Sequence, residues 1–428
     1  MLISFAVTNV RSIKERLELS LIAAPRERCL PELLVPEHET ESLGVRVLRT
    51  ALLYGANASG KSNLLKALLI LRQMVVFSAT AFRPDQQTGA IPFLFDQESR
   101  TKPSVFELSF LLDGIRHDYR VVMDHAVVSE EELIIYPHRR PQRLFLRSRQ
   151  ADGKYELTPG SSWKGGKDLL EKTRPNALLL SVAAQFNHAQ LSPIYQWFVK
   201  RLHYWDLSSA DAHMFQIAQT AMLVHQHPAA KAAVERFLAQ ADLSITGVKT
   251  RAVRPEEIGI PAGQDFMADA MRGKAAAGQV IDTRFMHRLE GTGETVDLPL
   301  SEESVGTQRF FGLVGQLQQI IETGACIAID EIDASLHPLL VHAIVRMLHD
   351  PEVNRNGAQA IITTHDTTLL NQEMVRRDQV WFTEKDKGQG TRLVPLTDFS
   401  PKQGEALQRG YLGGRYGGIP VLPGRLGA

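Results

Sequence analysis

Cysteine is nearly absent from this chain: only Cys29 and Cys326 occur, far apart in the sequence. Two isolated thiols exclude a disulfide framework and a cysteine-based zinc pattern. They fit a reducing compartment, with both thiols expected to be buried. Long apolar runs are missing too. The longest, such as "ALLLSVAA" at 177–184, falls well short of the ~20 residues a membrane-spanning helix needs. The start, "MLISFAVTNVRSIKERL", lacks the basic region and apolar centre of a signal peptide. There is no excess of either charge: 48 Lys+Arg balance 48 Asp+Glu, for a formal net charge of +0. No global field therefore draws the protein to DNA or to an anionic membrane, and any nucleic-acid contact has to come from a local patch. These absences describe a cytoplasmic protein with no membrane partner.

Also missing are internal repeats and, between residue 55 and residue 300, any sustained heptad array, which excludes a long coiled-coil arm. What remains is ordinary for a globular chain, with 44% hydrophobic and 22% charged residues in 428. That length implies one large composite domain or two lobes.

"ISFAVTNV" (3–10) and "LELSLIA" (17–23) alternate apolar and polar residues and read as a hairpin. "PSVFELSFLLDGIRHDYRVVMD" (103–124) is a second hairpin around Asp113-Gly114. Residues 165–241 carry a mostly helical pattern, and the Gly/Ala-rich 262–279 reads as a loop. Two apolar runs, "GACIAID" (324–330) and "AQAIITTHD" (358–366), have the character of buried parallel strands, with a helix between them that stops before Pro351.

The most specific signal is "LLYGANASGKSNLLKAL" (52–68). Gly55, Gly60, Lys61 and Ser62 satisfy G-x-x-x-x-G-K-[ST], with a strand before and a helix after. Average residue usage gives on the order of 0.02 chance matches in a chain this long. Glycines let the backbone of Gly55, Ala56, Asn57, Ser59, Gly60 and Asn63 curl its N–H groups toward phosphate oxygens, and the helix dipole adds to them. Lys61 should reach the β- and γ-phosphates of ATP, and the Ser62 hydroxyl should ligate Mg²⁺. Asp330 and Glu331 end the apolar strand "CIAID", at the edge of an α/β sheet where ligands bind. Asp330 is expected to hold Mg²⁺ through water and Glu331 to orient the attacking water. His365 ends the next such strand and is expected to contact the γ-phosphate.

In their order, "NVRS" near the start, "GANASGKSN", "LSEESVGTQRFFGL", "IAIDEIDASLHP" and "TTHD" resemble the ABC-type ATPase heads of the RecF, SMC and OLD group. The resemblance covers about 1–75 and 295–385. It implies an α/β fold: a P-loop ATPase head with a mixed central sheet, an antiparallel β-lobe and a helical insertion, without a long coiled coil. The stretches expected are 1–160 (first part of the head), 161–280 (mainly helical insertion) and 281–428 (second part, with signature and Gly-rich tail). Ser304, Gly306 and Thr307 match a looser S-x-G-T form of the LSGGQ signature, which implies ATP held between two copies in a homodimer or higher homo-oligomer. A Ser-Gly helix cap is the plainer alternative. The "N-x-R-S" match of Asn9, Arg11 and Ser12 makes Arg11 a candidate α-phosphate or ribose contact; an exposed hairpin charge is the other reading.

The whole chain is similar in look to the standalone AbiLi/RloA/PARIS-type ATPases of phage defence. That likeness implies a sensor or scaffold subunit controlling a separate effector, a Toprim or other nuclease. A RecF-like repair ATPase is the alternative, and a scaffold with ATP as structural glue is a third. About 60 residues follow "TTHD", too few for an appended Toprim domain. The Arg-rich "YPHRRPQRLFLRSR" (136–149) could meet DNA or an acidic phage protein. It follows "SEEE" (129–132), which favours pairing within a hairpin. His203, His213, His225 and His227 lack a metal-ligand spacing. The end, "YLGGRYGGIPVL" (411–422), reads equally as a docking segment or as a tail that wraps the head.

Overall fold

A computed structural model describes residues 1–165, 168–241, 244–254, 280–334 and 336–420. The 262–279 stretch and Ser335 lie outside the described residues, as does the end of the tail beyond Pro420. The chain forms two compact units. One comprises Met1–Tyr204, Gly324–Asp330 and Leu348–Ala428; the other comprises Trp205–Thr323 and Glu331–Met347. These groupings follow strand and helix pairing between distant segments, so they cut across the three stretches read from the sequence.

The first unit is built on two sheets. In the larger, Leu2–Thr8 pairs with Leu17–Ser20 on one side and with Ser104–Leu112 on the other. The sheet then continues antiparallel through Ile115–Met123, Val128–Tyr136, Gln142–Arg149 and Tyr155–Pro159. Asp113 and Gly114, both with positive φ (50° and 72°), make the tight turn that the Asp-Gly pair announced. Phe110, Tyr119, Trp197 and Phe198 form an aromatic core on this sheet, with Phe110 and Trp197 stacked 4.2 Å apart.

The second sheet is mixed. Its order is Thr391–Pro395, Val380–Lys385, Thr50–Gly55, Gln359–Thr363, Cys326–Asp330, Leu202–Asp206. The four strands from Val380–Lys385 to Cys326–Asp330 run parallel, and Thr391–Pro395 is antiparallel. The three strands Thr50–Gly55, Gln359–Thr363 and Cys326–Asp330 are buried at every residue, which explains their unbroken apolar character. The helix Lys61–Phe77 buries Leu64, Leu65, Leu68, Leu71 and Met74. At about 1.5–3 kcal/mol per buried large side chain, that face fixes the helix to the sheet.

The second unit packs the helices Ala210–Gln226, Pro228–Gln240 and Val305–Thr323 with an antiparallel sheet of Ile245–Val253, Val280–Arg288 and Thr295–Pro299. That sheet was not foreseen from the sequence. Thr220 donates to Gly312 O at 2.8 Å, and a Cβ on Gly315 would lie 2.2 Å from Thr220 Cγ2, so the two helices approach closely. Among the described residues no helix is longer than the 19-residue Val305–Thr323, and none is long and apolar enough to cross a membrane.

One expectation needs correction. Cys326 is buried, and its thiol is pushed up to about 12 by burial, but Cys29 is only half-buried. The Arg-rich segment pairs with the acids of 129–132 within its hairpin, as their proximity in sequence favoured. Arg147 is buried opposite Glu131, 3.7 Å away, and donates to Ala177 O and Arg174 O. Arg143 pairs with Glu132 at 2.7 Å, and Arg139 donates to Ser42 O and Glu41 O. Burial raises the Glu131 carboxyl even though Arg147 and the Leu179 and Leu180 N–H groups favour its charged form.

Candidate functional site

Three parallel strands end side by side at the candidate site. Thr50–Gly55 runs into the Gly-rich loop, Cys326–Asp330 ends on its acid, and Gln359–Thr363 lies between them. Asp330 Oδ1 accepts from Ser62 Oγ at 3.0 Å and from Thr363 Oγ1 at 2.7 Å. Lys61 Nζ folds back over the loop and donates to Gly55 O at 2.7 Å and Ala56 O at 3.3 Å. Asn57 and Ala58 form the exposed tip of the loop, while Ser59, Gly60 and Lys61 are buried. Thus the structure brings Ser62 and Asp330 into contact, with Lys61 next to Ser62 at the start of the helix.

The loop keeps its curl because two positions exclude a side chain. A Cβ on Gly55 would lie 2.2 Å from Thr383 Oγ1 and 2.6 Å from Thr383 O. A Cβ on Gly60 would lie 2.1 Å from Thr391 Oγ1, and its φ of +112° suits only glycine. The same two threonines brace the loop. Thr383 Oγ1 bonds Ser59 Oγ at 2.6 Å, and Thr391 Oγ1 donates to Ser59 O at 2.9 Å. Thr391 Oγ1 also shares a 2.8 Å bond with Ser12 Oγ, and Asn63 Nδ2 donates to Ser12 Oγ at 2.7 Å. The side chains of Ser59 and Asn63 are therefore engaged with the scaffold, whereas the role expected of both residues lies in their backbone N–H groups.

"NVRS" is explained differently at each residue. Asn9 is buried and clamps the segment before Ser104: its amide donates to Ser99 O and Lys102 O, and its Oδ1 accepts from Phe93 N. Arg11 has φ 53° and donates its backbone N–H to Ile91 O at 2.7 Å. Its Nε is enclosed without a hydrogen-bond partner. Ser12 is the tie to the loop.

His365 is exposed, two residues past the strand end at Thr363. Glu331 follows Asp330 directly and adopts φ 56°, a left-handed conformation that a glutamate rarely takes. Its carbonyl accepts from Ala334 N at 2.9 Å. In the second unit, Ser304, Gly306 and Thr307 open the Val305–Thr323 helix. Ser304 Oγ accepts from Thr307 N at 3.1 Å as an N-cap, and Ser304 and Val305 are exposed. The cap reading of Ser304 is thus realised in the structure, and it leaves the helix tip at the surface.

Ser62 Oγ and Asp330 Oδ1, two adjacent oxygens at a helix start, are the donor type a Mg²⁺ ion takes, so these residues fit the expected ion. Sequence reasoning missed Thr363, Thr383 and Thr391. Thr363 carried a usable signal, since it ends the strand between the two that bear the loop and Asp330. Thr383 and Thr391 carried none.

Among solved structures the chain is similar to an SMC head domain from Thermotoga maritima, with 13% identity over 92% of this chain and 98% of that one and a TM-score of 0.41. It is also similar to an SMC head bound to the C-winged helix domain of ScpA, with 12% identity over 92% and 96% and a TM-score of 0.45. No curated protein matches. The family described as "AAA domain, putative AbiEii toxin, Type IV TA system" matches residues 51–371, which span the loop, the acidic strand end and the Thr363 strand, and the chain belongs to that family.

Proposed function

We propose that this protein is an ATP-driven switch of bacterial phage defence, which binds ATP with Mg²⁺, hydrolyses it to ADP and phosphate, and thereby assembles and releases a separate effector such as a nuclease. The observation that carries the nucleotide half is the convergence of Ser62 and Thr363 on Asp330 beside Lys61. The family's toxin–antitoxin description supports the defence half.

In this reading Lys61 and the N–H groups from Ala56 to Asn63 hold the triphosphate. Ser62 and, through water, Asp330 hold Mg²⁺, with Thr363 fixing the carboxylate. The ion, when bound, supplies charge neutralisation at the transferring phosphoryl group. Glu331 orients the attacking water and receives its proton; left-handed backbone at a non-glycine residue is typical of functional positions. His365 contacts the γ-phosphate and Arg11 the α-phosphate or ribose. A second copy completes the site with Ser304, Gly306 and Thr307, so ATP favours the closed homodimer and hydrolysis releases it. The effector, the oligomer and a cytoplasmic setting belong to this proposal.

ATP turnover of the wild type and of Glu331→Gln tests it. We expect Mg²⁺-dependent turnover that falls by about 100-fold or more in the variant, with nucleotide still bound. Equal turnover in both would refute the assignment of Glu331. An effector that copurifies supports the defence role, whereas turnover stimulated by DNA ends would move the chain to the repair class.

A further inference from the structure

The Gly-rich end of the chain has no role in the reading above, yet it lies against the back of the phosphate loop. Tyr411, on the short helix Leu407–Leu412, stacks on Phe382 with ring centroids 5.2 Å apart and planes at 20°. It meets Tyr54 edge-on at 5.7 Å. Tyr54 immediately precedes Gly55, and Phe382 immediately precedes Thr383, the residue paired with Gly55 across the sheet. The Tyr411 hydroxyl donates to Gly418 O at 3.1 Å and so folds the tail back on itself. Gly418 then sits over the first loop residue: a Cβ there would lie 3.6 Å from Gly55 Cα and 3.4 Å from Thr383 O. Burial raises the pKa of Tyr411, and the adjacent Gly55 backbone pulls it back down.

The fold-back is itself fastened. Tyr416 also stacks on Phe382, at 5.6 Å, and its hydroxyl donates to Glu405 Oε1 at 2.6 Å. Arg415 pairs with the same carboxylate oxygen. Gly55 has no side chain with which to lock its own position, and its surroundings tolerate no Cβ. Tyr411 and Gly418 supply a floor beneath it, in addition to its pairing with Thr383 and the Lys61 bond to its carbonyl. A loop whose N–H groups are held in place before binding loses less freedom when phosphate arrives.

We propose that Tyr411 is a positioning residue of the nucleotide site: through its bond to Gly418 and its stacking on Phe382 and Tyr54 it fixes Gly55 and so sets the affinity of the loop for a nucleoside triphosphate. This rests on the phosphate-loop reading above. Tyr411→Phe removes the hydroxyl and keeps the ring; Gly418→Ala perturbs the same contact from the other side. Each is compared with wild type and Lys61→Ala, using a fluorescent non-hydrolysable ATP analogue with Mg²⁺ and amide hydrogen exchange of the nucleotide-free protein.

The expected result for Tyr411→Phe is about 5-fold weaker binding, the scale of one lost buried hydrogen bond. Exchange should be faster at 55–62, with the melting temperature nearly unchanged. Wild-type affinity and wild-type exchange in Tyr411→Phe overturn the proposal; so does a lowered melting temperature with both of those unchanged. If wild type binds and Lys61→Ala does not, such a result removes the role of Tyr411 alone. If wild type and Lys61→Ala bind equally poorly, the phosphate-loop reading fails, and exchange at 55–62 still decides whether Tyr411 holds the loop.

Discussion

The helix that starts at Lys61 and the helix that starts at Val305 both begin on a turn of Gly and Ser, and they are held by opposite means. The first has no side-chain cap of its own. Its loop is braced by hydroxyls from far along the chain: Ser12 from the N-terminal hairpin, Thr383 and Thr391 from the last two strands of the mixed sheet. The second is held locally. Ser304 caps Thr307, Gln308 donates to Glu303 O at 2.9 Å, and Glu303 pairs with His287 at 2.7 Å. The loop residues Ser59, Gly60 and Lys61 are buried, whereas Val305 is 56% exposed. A tertiary-braced loop exists only when the whole sheet has formed, which suits a ligand site. A self-capped, exposed helix tip keeps its shape without its surroundings, which suits presentation to a partner.

The comparison can be broken most sharply at Gly60. Gly60→Ala forces a Cβ onto Thr391 at a φ closed to alanine, and we expect a stability loss of about 3 kcal/mol with nucleotide binding abolished. Denaturant unfolding and nucleotide titration would show it, and wild-type behaviour would mean that the Thr391 brace is not real. Thr391→Val keeps the volume and removes bonds to Ser59 O and Ser12. It should cost about 2 kcal/mol and weaken nucleotide binding several-fold in the same two assays.

The opposite end of the loop's strand offers a pH handle. His349 is buried against Thr50 and Gln379, and burial, aided by Arg49, lowers its pKa to about 3. The unfolded chain therefore takes up this proton near pH 6.5 while the folded chain does not. The stability tied to this residue is complete above that pH and is lost as pH falls toward 3, with a slope of up to about 1.4 kcal/mol per unit. Denaturant unfolding across this window should show a shallower slope for His349→Asn. The smallest effect is expected at Ser304. Ser304→Ala should cost about 1 kcal/mol, while Ser304→Asp keeps the cap and the stability yet loses ATP turnover. Turnover retained in Ser304→Asp would leave Ser304 as a cap and nothing more.

The parts of the site legible in the sequence were those set by local spacing. Gly55 to Ser62 had a fixed pattern, and Asp330 ended an apolar run, so the strand-end geometry followed. Arg147 could also have been placed: it shares a strand face with the buried Phe145 and lies in register with Glu131. Residues whose role depends on a distant partner were not legible. Thr383 and Thr391 become braces only because their hairpin joins Thr50–Gly55, and nothing in "VWFTEK" announces that neighbour. The tail left two readings open for the same reason, since Gly418 meets Gly55 through the fold alone.

The composite site is tested most directly by mixing two variants that are each inactive, Lys61→Ala and Ser304→Arg, and measuring ATP turnover. If one copy supplies the loop and the other the serine-bearing helix tip, mixed dimers contain one intact site and activity returns, to at most about a quarter of wild type for random pairing in a two-fold dimer. A mixture no more active than its separate components would contradict the account.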